Sequence, residues 1–290
     1  MIKEYIKLIR VSHWVKNIFV FVPLVFSKHL LDPNYFFTSL QAFFVFSLVT
    51  SAVYIFNDIN DVEEDKQHPI KKNRPIASEK ISIKIAYVLL CLLIIVVALI
   101  LIFNFNLSFV FVLSSYFVLN FFYTTFLKRL VIIDIIIIAI GFMLRVLAGV
   151  YAIDVYISNW LILSAIFISL FLAIMKRKSE LSFNQSGLLT RKVLENYSID
   201  FLNQISTISA AGVIVCYTLY SISERTINFF KTDKLIYSTL FVIFGIFRYL
   251  YLSYNSEKDR NIVNVIFTDK PMLLNLLAYI FFIIIVVYFI

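Results

Sequence analysis

Long apolar runs, each closed by a short polar cluster, fill the chain. A membrane-spanning helix needs about 20 mostly apolar residues. Runs of that kind predict nine transmembrane helices, at 17–33, 38–57, 83–103, 107–126, 131–152, 159–175, 204–222, 235–253 and 272–290. The first carries Pro23, and the short Asn104-Phe105-Asn106 link separates the third from the fourth. Ahead of them, residues 1–16 place Lys3, Lys7, Arg10 and Lys16 among apolar positions in an amphipathic pattern. That segment predicts a helix lying at the membrane surface rather than a cleaved leader. The polar stretches 58–82, 176–203 and 254–271 predict loops. The pattern shows no internal repeat, and residues 1–290 read as a single transmembrane domain of the all-α class.

Composition supports this pattern. The chain is 61% hydrophobic and 15% charged, against about 45–50% and about 25% in soluble domains. Disordered, collagen-like and disulfide-scaffold classes are excluded. Cys91 and Cys216 both lie in apolar runs and have no metal-ligand spacing. The net charge of +8 would suggest nucleic acid on a soluble chain. On this one it follows topology, so no nucleic-acid partner is expected. With the N-terminus in the cytoplasm, only Lys28, Arg225, Lys231 and Lys234 fall in outside segments. Inside segments take Lys66, Lys80, Lys84, Arg191, Lys192, Lys258, Arg260, Lys270 and the basic clusters discussed below. This asymmetry is the positive-inside pattern. It predicts a plasma (inner) membrane protein of a prokaryote with its C-terminus outside, its three long polar loops in the cytoplasm, and its chemistry on that side.

The densest chemistry follows the second run. Asn57-Asp58 closes it, and Asp61, Glu63, Glu64 and Asp65 come next. Asp58, Asp61 and Asp65 are spaced i, i+3, i+7, which sets three carboxylates on one face of a helix. Like charges so placed repel unless a cation lies between them. Hard oxygen ligands suit Mg²⁺, which is held by a few carboxylates together with substrate phosphates. Lys71, Lys72 and Arg74 follow within one loop and are suited to phosphate oxygens. The alternative is a solvated acidic and basic loop, although bare polarity where Asn57 and Asp58 end an apolar run is costly.

A second cluster comprises Tyr123, Lys128-Arg129, Asp134, Gly141 and Arg145. On a helix of about 100° per residue, Asp134, Gly141 and Arg145 share a face, with Asp134 and Arg145 about 16 Å apart along an unbroken axis. One ligand would reach both only if the span kinked near Gly141. Arg145 lies inside an apolar run and reads either as a functional cation or as a helix–helix partner. Gly141 and Gly149 read as close-packing positions.

Asn57-Asp58-x-x-Asp61-x-x-x-Asp65 resembles the first aspartate-rich motif of the UbiA superfamily of intramembrane prenyltransferases, and the resemblance extends over nearly the whole chain. It implies a bundle of nine transmembrane helices around a central cavity open to the cytoplasmic side. Trp14-Val15-Lys16-Asn17 and the run from His68-Pro69 through Lys71 to Arg74-Pro75-Ile76-Ala77 are similar to the decaprenyl-phosphate phosphoribosyltransferase branch, as is Thr268-Asp269-Lys270-Pro271. In that last stretch Asp269 reads equally as a helix N-cap. The branch's Lys-Arg-x-x-Glu pattern is matched by Lys176, Arg177 and Glu180. A departure from the wider superfamily stands at Ile138, where a second metal-binding aspartate is usual.

This resemblance implies Mg²⁺-dependent transfer of 5-phosphoribose from 5-phosphoribosyl diphosphate to a polyprenyl phosphate. The product would be a lipid-linked phosphoribose for an arabinose donor used in wall polysaccharide synthesis. Asp58, Asp61 and Asp65 are the expected metal ligands. Asp58, Asp61, Lys128, Asp134 and Arg145 are the expected catalytic residues. Lys16, Asn57, Lys71, Arg74, Tyr123, Lys176, Arg177 and Glu180 are expected to bind substrate. An ordinary prenyltransferase, moving a prenyl group from a diphosphate to an aromatic or other acceptor, is the other reading of the first motif. A transporter is the third, disfavoured because the polar residues gather in loops and no repeat is seen.

Overall fold

The computed structural model describes residues 2–69, 71–184, 192–255 and 268–290; Arg191, Lys258 and Arg260 of the inside-facing charges lie outside them. The described residues contain helices and no strand. Among the described residues there are twelve α-helices in chain order: α1 Ile2–Ile9, α2 Val22–Phe26, α3 Pro33–Asn60, α4 Val62–Gln67, α5 Ile83–Asn104, α6 Leu107–Thr125, α7 Ile133–Ile153, α8 Asn159–Asn184, α9 Ile199–Ile222, α10 Glu224–Phe230, α11 Thr239–Asn255 and α12 Lys270–Tyr288. Eight segments among the described residues are long and apolar enough to cross a bilayer, and a ninth is counted if the bent N-terminal pair is one span.

Capping chemistry sets the ends of these helices. Asp32 accepts from Asn34 N–H ahead of α3, with Pro33 in the first turn. Ser82, Asn106, Ser198 and Asp269 cap α5, α6, α9 and α12 in the same way. Each supplies an acceptor to one of the N–H groups that a helix start leaves without a partner. Asp269 also receives Arg248 at 2.8 and 3.1 Å, so the cap reading of that residue is the one observed.

The N-terminus differs from the expected surface helix over 1–16 and span over 17–33. α1 stops at Ile9 because Arg10 takes a left-handed conformation, φ 55°. A 3₁₀ helix then runs over Val11–Phe21 into α2, and the two halves meet at a 40° bend. Lys28, φ 64°, closes this segment well before residue 33. Runs of 3₁₀ helix longer than a single turn are uncommon. This one is held by side chains of α3: Asn17 Nδ2 donates to Ser47 Oγ at 2.9 Å, Trp14 Nε1 to Ser51 Oγ at 3.0 Å, and Ser51 Oγ to Ile9 O at 2.8 Å.

Two compact units divide the chain: Met1–Lys128 with Leu144–Tyr156, and Arg129–Met143 with Ile157–Ile290. In the first unit α3 is central, packing on α1, the 3₁₀ helix, α5 and α6. Leu8, Ile55, Ile59, Ile76, Ala86 and Leu90 form a core beneath the acidic loop. Gly149 belongs to this unit, and a Cβ there would stand 2.1 Å from Val20 O, so close packing is the reason for that glycine. In the second unit α8 and α9 form the most extensive helix pair. α8 does not end at 175 but continues to Asn184, placing Lys176, Arg177 and Glu180 on a helix rather than in a loop.

Candidate functional site

The first unit assembles the acidic motif. Asn57 and Asp58 occupy the last turn of α3. Asp61 is the joint, and Asp65 lies in α4. The joint scarcely interrupts the helical path: Asp61 N–H donates to Asn57 O at 2.9 Å and Asp65 N–H to Asp61 O at 2.8 Å. Asp58 and Asp65 are each 2% exposed.

Every carboxylate of the motif faces a cation of the same unit. Asp58 accepts from Arg10 and, at 3.2 Å, from Arg74 Nη1. The same Arg74 nitrogen reaches Asp65 Oδ2 at 2.5 Å. Lys128, in the 3₁₀ turn Leu127–Arg129, reaches Asp61 Oδ1 at 2.5 Å. Arg10 also stacks on the Tyr54 ring, 4.6 Å from its centroid. Arg10 was not singled out by its sequence position. Its only signal there is a basic residue at the end of an amphipathic helix.

Arg74 is carried into place by a short loop. Lys71, in the 3₁₀ turn Lys71–Asn73, donates its backbone N–H to His68 Nδ1 at 3.2 Å, and Arg74 N–H bonds to Lys71 O at 2.9 Å. Burial, and then the charge of Lys71, hold His68 below its ordinary pKa. The imidazole is therefore neutral near pH 7, as an accepting Nδ1 requires.

Because the carboxylates face basic side chains, no three metal-ligating groups converge among the described residues. The donor set itself is hard oxygen. Asn57, one residue before Asp58 in the last turn of α3, has a buried Oδ1 without a hydrogen-bond partner among the described residues. An orphaned amide oxygen next to carboxylates fits a cation such as Mg²⁺.

Arg145, in the part of α7 that belongs to the first unit, lies in a separate buried network. Its Nε donates to Asn17 Oδ1 at 2.8 Å and its Nη2 to Tyr116 Oη at 2.9 Å, with Phe46 and Tyr116 rings against the guanidinium. Lys16, on the 3₁₀ helix, lies within electrostatic reach of Arg145 and Arg10. Tyr123 is half-buried near the end of α6.

The second unit gathers Asp134, Arg177 and Glu180 and adds Tyr197. Asp134 and Arg177 are both 0% exposed. Arg177 Nε meets Asp134 Oδ2 at 2.6 Å and its Nη1 meets Glu180 Oε2 at 2.5 Å. Tyr197 Oη donates to Asp134 Oδ1 at 2.7 Å and accepts Ile132 N–H at 2.6 Å. Ile132 is left-handed, φ 68°, a conformation that a β-branched residue rarely adopts, and the tyrosine holds it there. Burial, and then the Asp134 hydrogen bond, push the Tyr197 hydroxyl upward, so it stays a donor. Lys176 is on the rim, 3.9 Å from Glu180 Oε1. Ile138 packs against the apolar cluster of Ile135, Ala173 and Leu194. α7 runs unbroken from Ile133 to Ile153.

Known proteins resemble this chain in sequence and in fold. The model of the UbiA prenyltransferase family matches residues 18–182. The decaprenyl-phosphate phosphoribosyltransferase of Mycolicibacterium smegmatis is 34% identical over 233 residues, 79% of this chain and 73% of that protein. The protein of the same name from Mycobacterium tuberculosis is 31% identical over 226 residues, 76% and 74% of the two chains. Among solved structures, a UbiA homolog from Archaeoglobus fulgidus bound to DMAPP and Mg²⁺ superposes with a TM-score of 0.72 at 15% identity, covering 99% of this chain and 100% of that one.

Proposed function

The chain belongs to the UbiA prenyltransferase family and is an integral membrane protein; from that premise we propose that it transfers 5-phosphoribose from 5-phosphoribosyl diphosphate to a polyprenyl phosphate. The observation that carries the reading is the pairing of each motif carboxylate with a basic side chain of the same unit. Such a bipolar site suits a metal–diphosphate, whose cation matches the carboxylates and whose oxygens match the bases. The names of the relatives at 31–34% identity support a phosphoribosyl donor and a polyprenyl phosphate acceptor.

Asp58, Asp61 and Asp65, with Asn57 Oδ1, would hold Mg²⁺, which when bound supplies Lewis-acid stabilisation of the leaving diphosphate. Arg10, Arg74 and Lys128 redirect their hydrogen bonds from carboxylate to diphosphate oxygens as negative charge builds there. Lys71 stands in the same loop for the donor's phosphates. Lys16 and Arg145 present positive charge to the acceptor phosphate or the 5-phosphate, and Tyr123 contacts the bound substrate.

An oxygen of the lipid phosphate attacks C1 of the ribose. The C1–O bond to diphosphate breaks, and its electron pair leaves with the diphosphate. The nucleophile is already anionic near pH 7, so no general base is needed, in keeping with a neutral His68 used as a loop acceptor. Within the second unit, Asp134, Arg177, Glu180 and Lys176 form a polar cluster of their own, which we read as a further substrate-binding element. There Arg177 and Tyr197 already hold the Asp134 carboxylate, and Ile138 offers no second one. Both features favour phosphoribosyl over prenyl transfer. The positive-inside asymmetry of the sequence supports a cytoplasmic face for this chemistry.

Diphosphate release tests the donor. Purified protein with Mg²⁺ and a polyprenyl phosphate should release diphosphate from 5-phosphoribosyl diphosphate. Release only from a prenyl diphosphate with an aromatic acceptor would move the chain to ordinary prenyl transfer.

A further inference from the structure

Lys178 has no part in the site described above. Phe171, Met175 and Lys178 are spaced i, i+4, i+7 and so share one face of α8. Phe171 and Met175 pack with Ile246 and Tyr249 of α11 in one apolar cluster, so Lys178 continues an apolar seam with a charged residue. It is 7% exposed. Its ammonium lies over the ring of Tyr254, 3.7 Å from the centroid, and Nζ has no hydrogen-bond acceptor among the described residues. The other buried cation of α8, Arg177, has two carboxylates. A buried ammonium offers three donors, and leaving them without an acceptor is costly. The ring face compensates for only part of that loss.

We propose that Lys178, beneath Tyr254, is a phosphate-binding subsite of the second unit. Three features identify the anion. Lys178 follows the apolar run Trp160–Met175 within one helical turn, where a span of that extent would meet lipid headgroups. The charges of Lys176 and Arg177 are balanced by Asp134 and Glu180, whereas Nζ of Lys178 meets no carboxylate among the described residues, so its charge is left for an anion. A lysine ammonium is a point charge suited to phosphoryl oxygens without fork geometry. Either an anionic lipid headgroup or a free phosphate group supplies that chemistry. The site stands on its own geometry; only the choice of lipid probe below rests on the proposed acceptor.

The test uses the full chain in maltoside detergent and phosphate-free buffer. Inorganic phosphate and a short polyprenyl monophosphate are titrated by calorimetry into wild type, Lys178→Met, Lys178→Arg and Tyr254→Leu. Lys178→Met loses one binding site or weakens it by at least about tenfold, the usual worth of a charged hydrogen bond, and Lys178→Arg restores it. Loss for the lipid probe alone identifies a headgroup site; loss for both probes identifies a site for free phosphate. Tyr254 is 59% exposed, so Tyr254→Leu tests the site without disturbing the core. Removing the competing ring should tighten binding by about 2- to 5-fold. Unchanged affinity for both probes in Lys178→Met, or in Tyr254→Leu if Lys178→Met does not fold, overturns the proposal. Asp61→Asn keeps this site, so failure of the transfer reading and failure of this one are distinguishable.

Discussion

Replacing Arg177 with methionine tests the second unit's polar network most sharply. The two side chains have similar length, so packing changes little, while two ion pairs disappear: 2.6 Å to Asp134 and 2.5 Å to Glu180. Glu180 keeps partial contact with water, its side chain being 24% exposed. Asp134 is 0% exposed and, among the described residues, keeps the Tyr197 hydroxyl as a side-chain partner. Breaking a buried pair and leaving one charge behind costs about 3–5 kcal/mol, and that is the destabilisation expected for Arg177→Met. Asp134→Asn in the same background removes the stranded charge. The double variant should be more stable than the two single losses added together, by a coupling of about 0.5–3 kcal/mol. Lysine at 177 has one terminus for two carboxylates in different directions, so it should recover only part of the loss. Unfolding of the detergent-solubilised protein, followed by circular dichroism, reads all four variants. Arg177→Met within about 1 kcal/mol of wild type, or strictly additive losses, would refute a buried network of this strength.

Three further expectations can be measured directly. Asp58→Asn should lower transfer by about 10²-fold or more while the protein still inserts and elutes as wild type; normal turnover would remove Asp58 from the metal site. Gly149→Ala forces a methyl group against Val20 O and should destabilise the first unit by about 1–3 kcal/mol, read from the unfolding midpoint; an unchanged midpoint would mean that the 3₁₀ helix yields there. His68 is held below its usual pKa by burial and Lys71, so the unfolded chain binds the proton first as pH falls. Its contribution to stability should therefore decline as pH drops below about 6.5 and level off below the folded pKa, and His68→Gln should abolish that slope.

Much of the architecture was legible because its signals are local. Span ends at Ser82, Asn106 and Asp269 are single capping residues beside an apolar run, and the structure puts helix starts there. The extension of α8 to Asn184 was not legible. Lys176 and Arg177 look like the start of a loop, and Arg177 becomes a helix interior residue only through Asp134, distant in sequence. The first motif was visible as a spacing of carboxylates, and its helical path is as expected. That these acids face Arg10, Arg74 and Lys128 was hidden, because three segments far apart in the chain must meet for it to happen. The 3₁₀ run over Val11–Phe21 depends on hydroxyls of α3 and has no signature of its own. Tyr197, a lone aromatic in a polar stretch, gave no hint that it orients Asp134.

Transfer of the ribose itself is the most direct measurement. Purified protein in detergent with Mg²⁺ is given a polyprenyl phosphate and 5-phosphoribosyl diphosphate labelled in the ribose, and the organic phase is counted. Label should enter the lipid with wild type and be lost with EDTA and with Asp61→Asn. An unlabelled lipid, with transfer seen instead from a prenyl diphosphate to an acceptor, would contradict the phosphoribosyl reading and the assignment of Arg10, Arg74 and Lys128 to its diphosphate.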